Sequence, residues 1–255
     1  MSAQPTENPK NQLSSWKLSN PRELRGIDFL IVATILFAGS IYTSTLSWLY
    51  MDASAPPGVA SDTQGNYSLL STLLASMALA VVYLRLVRAF DFRALRWGVS
   101  WKATLWGVPI YLSACVLADL VYTLWGLGFP PADVGTPEGT AAEQASHVST
   151  VMVAMVNGSY EEIGFLGFLL SVPRKYTLHA FIAGLAIRFS FHTYQGIGAA
   201  LSITSFGLLL GVLYLRMRTL WPFIVAHVLA DIWGLSVDSW AHPLSVVLVA
   251  LDAHL

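Results

Sequence analysis

Long apolar runs separated by short polar segments set the pattern of this chain. The runs cover 27–50, 67–86, 103–126, 147–172, 178–196, 198–215 and 220–236. Each is near the roughly 20 residues that a helix needs to cross a bilayer. The first run is longer than a signal-peptide core and lacks a small-residue cleavage site, so it reads as a retained helix. A last apolar stretch, 243–251, is too short to cross, and is either half of an eighth helix or an element at the interface. The pattern therefore predicts an all-α, polytopic membrane helix bundle with seven to eight transmembrane helices. Residues 1–25, with Pro5, Pro9 and Pro21, form a polar tail, and 26–255 form the integral membrane domain. A linker rich in Pro, Gly, Asp and Ser runs over 52–66. The segment 85–102 is expected to hold an interfacial helix bearing Phe90, Phe92 and Trp97.

Composition agrees with this reading. Of the 255 residues, 55% are hydrophobic and 11% charged, against about 25% charged in soluble domains, and the mean hydropathy is +0.59. The net charge of −1 and the lack of a basic patch give no footprint for nucleic acid. Cys115 is the sole cysteine, which excludes an intrachain disulfide and a multi-cysteine metal site. Lys and Arg are placed more informatively. With the spans alternating and the N-terminus in the cytoplasm, thirteen of the fourteen fall on the cytoplasmic side, as the positive-inside rule requires. The compact length and short tail point to a bacterial inner (plasma) membrane. The exception is Arg188, inside the fifth run.

A few strongly polar groups remain at depth. An ionisable side chain at the bilayer centre costs about 2.5–3.5 kcal/mol on insertion scales, so each needs a reason to be there. Glu161 and Glu162 lie near the middle of the fourth run, with Asn157 and Ser159 close before them. Arg188 and His192 are four apart in the fifth run, and His227 and Asp231 are four apart in the seventh, so each pair shares a helix face. At about 1.5 Å per residue these groups come to a common level within the uncertainty of the span ends. Asp119 has no partner in the pattern and reads as structural. His147, His179, His242 and His254 fall near span ends or in loops.

Two carboxylates and two imidazoles around one wet pocket can activate water. A glutamate can take its proton, and a histidine can orient the water or donate a hydrogen bond to the oxyanion that forms. The same set leaves room for a divalent metal such as zinc, which would acidify the water instead. Either route hydrolyses an amide inside the membrane.

The motifs resemble those of the CAAX protease and bacteriocin-processing (CPBP, or Abi) family of intramembrane proteases, which includes the type II CAAX prenyl endopeptidases. Its blocks are Glu-Glu-x-x-x-Arg, Phe-x-x-x-His and His-x-x-x-Asn/Asp. Here they read Glu161-Glu162 through Leu166, Arg188 through His192, and His227 through Asp231, in a protease core of about 147–240. The resemblance implies an eight-helix bundle with its cavity open to cytoplasm and lipid. It implies that Glu161 activates water with His192 assisting and Glu162 in support. His227 and Asp231 would stabilise the oxyanion or, in a metalloprotease view, help hold a metal. The expected substrate is a membrane-associated or lipidated peptide cut near the cytoplasmic leaflet, with membrane lipids as surroundings. Two positions depart from the blocks: Leu166 replaces the arginine, and Arg188 replaces the phenylalanine. We expect the two to compensate, with Arg188 pairing with Glu162. A catalytically degenerate membrane scaffold of the same fold is the alternative. A proton-coupled transporter is weaker, because the halves show no inverted repeat.

Tryptophans near the run ends (Trp16, Trp48, Trp97, Trp101, Trp125, Trp221 and Trp240) are read as interfacial anchors. Gly164 and Gly167 are read as sites of close helix approach, or of a wall thinned for substrate.

Overall fold

A computed structural model describes residues 21–50, 62–129 and 146–238. Among them are seven α-helices in chain order: α1 Gly26–Leu49, α2 Thr63–Leu86, α3 Trp101–Gly128, α4 His147–Glu162, α5 Thr177–His192, α6 Ile197–Met217 and α7 Trp221–Trp233. Each corresponds to one apolar run. The protein is an all-α, polytopic integral membrane bundle. Four of its helices, α1, α2, α3 and α6, are each long and apolar enough to cross a membrane. The stretch 243–251, and with it any eighth helix, lies outside the described residues, as do Trp16, Trp240, His242 and His254.

Local chemistry sets the helix ends. Asp62, Ser100 and Ser146 each accept a hydrogen bond from the backbone three residues on, starting α2, α3 and α4. The Asp62 cap starts α2 before the apolar run does, shortening the linker expected over 52–66. No interfacial helix forms between α2 and α3; a single 3-10 turn, Phe92–Leu95, stands there. Ala89 and Arg96 adopt positive φ on either side of it, a backbone conformation that ends a right-handed helix. Phe90 is buried rather than lying on the surface, edge-on to Phe92 and Phe168.

One end of the bundle collects the basic residues. Arg22 pairs with Asp91 at 2.9 Å, and the backbone N–H groups of Leu220 and Trp221 donate to the carbonyls of Arg96 and Trp97. Asp28, buried in the first turn of α1, accepts from Tyr83 at 2.7 Å and pairs with Arg88 at 2.7 Å. That cluster ties α1 to the end of α2 and to the chain after it.

Helix α4 occupies the centre, packed on α2 and α7, while α1 packs on α5, and α3 on α6 and α7. Immediately after Glu162 the helix widens into a π-helix, Ile163–Leu169. Such stretches are rare and frequently mark functional sites. Gly164 in this segment faces the Phe37 ring, where an added Cβ would come within 2.9 Å. The tightest backbone approach to α7 is elsewhere, at Gly158, where a Cβ would lie 2.9 Å from the Val228 nitrogen and 3.2 Å from the His227 carbonyl carbon.

Candidate active site

The adjacent glutamates of α4 point to different neighbours. Glu162 is fully buried, and its Oε1 accepts from Arg188 Nη2 at 2.7 Å and from His227 Nδ1 at 2.6 Å. One carboxylate thus joins α4, α5 and α7. Arg188, buried too, lies with its guanidinium 4.6 Å from the Phe165 ring centre and 5.8 Å from that of Phe206. Gly207 on α6 leaves room for it, since a Cβ there would meet Arg188 Cδ at 2.7 Å. The expected pairing of Arg188 with Glu162 is present. Leu166 lines the same small void as Arg188, of about 20 Å³, so the guanidinium reaches this region from α5 while an aliphatic side chain fills its place on α4.

Glu161 faces the other way. Its Oε1 accepts from Asn157 Nδ2 at 3.2 Å, and its Oε2 stands 3.9 Å from His227 Nε2 and 3.8 Å from Arg188 Nη2. Asn157 Nδ2 also donates to Asp231 Oδ2 at 2.9 Å, and Asp231 Oδ1 is 3.6 Å from His227 Nε2. Because Glu162 holds Nδ1, the Nε2 edge of His227 is the one turned toward Glu161 and Asp231. Glu161, Asn157 and Asp231 line a cavity of about 560 Å³, and His192 lines it too, with both ring nitrogens buried and without a hydrogen-bond partner. His192 closes α5 and leads into the turn Thr193–Gln195, pinned to α1 by Ser44, which bonds the Thr193 hydroxyl at 3.1 Å and the Tyr194 N–H at 3.0 Å.

Glu161, His192 and Asp231 therefore meet at the cavity, while Glu162, Arg188 and His227 form a linked group that contacts Glu161 and Asp231 without lining it. Asn157 is the member given no role in the sequence reading, although its position one turn before Glu161 was the available signal. Asp119 is elsewhere: its carboxylate accepts from the Val237 N–H at 2.7 Å and holds the chain after α7, the structural role expected of it. Ser159 turns away and bonds the Met155 carbonyl.

Among the described residues no three His, Cys, Asp or Glu side chains converge as a metal site needs. The Nε2 edge of His227 faces Glu161 Oε2 at 3.9 Å and Asp231 Oδ1 at 3.6 Å, and the bond of its Nδ1 to Glu162 is of the kind that orients a metal-bound imidazole as readily as a free one.

Fold and site together define a polytopic helical membrane protein with two carboxylates and an imidazole at the wall of one cavity, and a second imidazole within 4 Å of both carboxylates. Residues 143–233 match the family model described as Type II CAAX prenyl endopeptidase Rce1-like. The match bears out the likeness to CPBP proteases read from the motifs and covers all six site residues. No curated protein and no solved structure matches the chain. The likeness points to a hydrolase of the intramembrane CAAX-protease type.

Proposed function

We propose that the protein is an intramembrane endopeptidase that hydrolyses peptide bonds with water activated by Glu161. The observation that carries this reading is that Glu161, which lines the 560 Å³ cavity, stands 3.9 Å from the Nε2 edge of His227. A water between them would be within hydrogen-bond reach of both. Glu161 takes one proton from that water, the oxygen attacks the carbonyl carbon, and the tetrahedral oxyanion accepts a hydrogen bond from the N–H of His192 or, when its ring carries both protons, from the Nε2–H of His227. The proton then passes from Glu161 to the leaving nitrogen as the C–N bond breaks. Glu162, itself held by Arg188, fixes the orientation of the His227 ring, and Asn157 positions Glu161 while tethering Asp231.

The substrate class is a membrane-associated peptide, lipidated or anchored by its own apolar segment. The expected site of cleavage, near the cytoplasmic leaflet, draws no support from the direction of the cavity. A scaffold without turnover would not need an aligned Glu161 and His227, and the missing arginine that suggested it is offset by Arg188. The test is purified protein in vesicles with a set of membrane-anchored peptides, the new termini read by mass spectrometry. Cleavage by the wild type and its loss in His227→Ala are expected. Folded wild type that cuts none of the peptides, or His227→Ala that cuts as well as wild type, overturns the proposal.

A further inference from the structure

The cavity points away from the arginine-rich end of the bundle. Its deepest polar groups are Glu161 and Asp231, and its lining extends to Ser47, Asn66 and Thr150. These three stand in the last turn of α1 and near the starts of α2 and α4. Thr150 and Glu161 are eleven positions apart on α4, about 16 Å along the axis. All three helix ends belong to the end of the bundle opposite the one where Arg22, Arg96 and Arg218 lie.

Toward the arginine end the site is closed. Phe37 stacks on Phe165 at 4.4 Å and on Phe191 at 5.7 Å, and Leu95, Phe168 and Leu169 are buried beyond them. A separate cavity of about 400 Å³ at that end is lined by Arg22, Arg93, Arg96 and Arg218. It reaches Leu170 and Ser171 but no residue of the site.

Charge settles which end is which. Every described Lys and Arg except Arg188 stands at the closed end, and the segments 51–61 and 130–145, which follow the opposite helix ends, contain no Lys or Arg. The positive-inside rule puts the closed end in the cytoplasm. We infer that water and substrate reach Glu161 from the non-cytoplasmic face, so that the substrate is a polypeptide segment held in or at the outer half of the membrane. The lining adds a restriction on that segment. Among the described residues it carries the acids Glu161 and Asp231 and no Lys or Arg, and Arg188, 3.8 Å from Glu161, is engaged by Glu162. A free C-terminal carboxylate close to the cut meets acids there and no guanidinium or ammonium group among the described lining residues, which favours an internal bond.

The inference rests on the peptidase reading for its substrate but not for its direction, and the experiment separates the two. Single-cysteine variants Ser47→Cys, Thr150→Cys and Arg216→Cys are made in a Cys115→Ala background and placed in sealed membrane vesicles of either orientation. A membrane-impermeant sulfonated maleimide is the probe. Ser47→Cys and Thr150→Cys should react at least about tenfold faster from the non-cytoplasmic face, and Arg216→Cys from the cytoplasmic face, because the reagent needs a hydrated thiolate. Reaction of Thr150→Cys and Arg216→Cys from the same face overturns the inference. Reaction of the mouth positions from neither face overturns it as well, since the mouth is then not in water. In a second arm the wild type is given an anchored peptide on one face at a time. Cleavage confined to the non-cytoplasmic face supports the inference, and cleavage confined to the other overturns it. Labelling as expected without cleavage on either face upholds the direction of access and counts against the peptidase reading alone.

Discussion

Replacing Arg188 by Met removes one of the two donors to Glu162 Oε1 and leaves a carboxylate that is 0% exposed with His227 alone. Breaking a buried ion pair from one side costs about 3–5 kcal/mol, because the surviving charge stays desolvated. Loss of the guanidinium contacts with Phe165 and Phe206 acts in the same direction. For a chain of this size roughly 2–4 °C accompanies each kcal/mol, so the midpoint should fall by about 6–20 °C. Cys115 makes the assay convenient, being the sole cysteine and 0% exposed: a dye that fluoresces on thiol attachment reports its exposure during a heating ramp. The double variant Arg188→Met, Glu162→Gln removes both charges and should recover much of the loss, since a neutral replacement of a buried pair is often tolerated. Adding Leu166→Arg to Arg188→Phe should also restore part of it, by returning the cation to α4. A midpoint unchanged in Arg188→Met, or a double variant as unstable as the sum of its singles, would show that the pair does not hold the site together.

Gly158→Ala places a Cβ 2.9 Å from the Val228 nitrogen, so α7 must shift and carry His227 with it; peptide cleavage should drop about tenfold or more, as 1 Å displacements do in positioned sites, and activity equal to wild type counts against the close packing. Asn157→Ala frees Glu161 and Asp231 from their shared donor; kcat should fall with little change in KM, and a change in KM alone points instead to a substrate contact. Asp91 is held below the usual carboxylate range, first by the Arg93 N–H and then by Arg22. The stability it contributes is complete above its unfolded pKa and is lost as pH falls through the lower folded value. Acidification below the ordinary aspartate range should therefore loosen the Arg22 contact in wild type and have no such effect in Asp91→Asn, as read by proteolysis near Arg22.

How far the sequence alone led can be read from particular residues. The spans were legible because every crossing must bury a long apolar run, and the site because Arg188 with His192, and His227 with Asp231, keep four-residue spacing. The pairing of Arg188 with Glu162 followed from Leu166: a buried guanidinium needs an acid, and one acid lacked a cation. Asp28 was passed over because it stands at the head of an apolar run, where its partners Tyr83 and Arg88 come from the far end of another helix. The π-helix after Glu162 depends on how Gly164 and its neighbours meet α1, which no local pattern records. The segment 85–102 has the composition of an interfacial helix, yet left-handed residues at Ala89 and Arg96 and the burial of Phe90 decide otherwise. Hydropathy gives depth but not which end of a bundle is open, so the direction of the cavity required the packing of Phe37, Phe165 and Phe191.

The role of Glu161 is tested most directly by the single-turnover rate of Glu161→Gln on an anchored peptide, in protein whose thermal midpoint matches the wild type. Glutamine keeps the shape and can still accept from Asn157 but cannot take a proton from water, so the rate should fall by about 10²–10⁴-fold, the usual contribution of a positioned general base. A rate within about threefold of wild type, far inside that range, would mean that some other group activates the water.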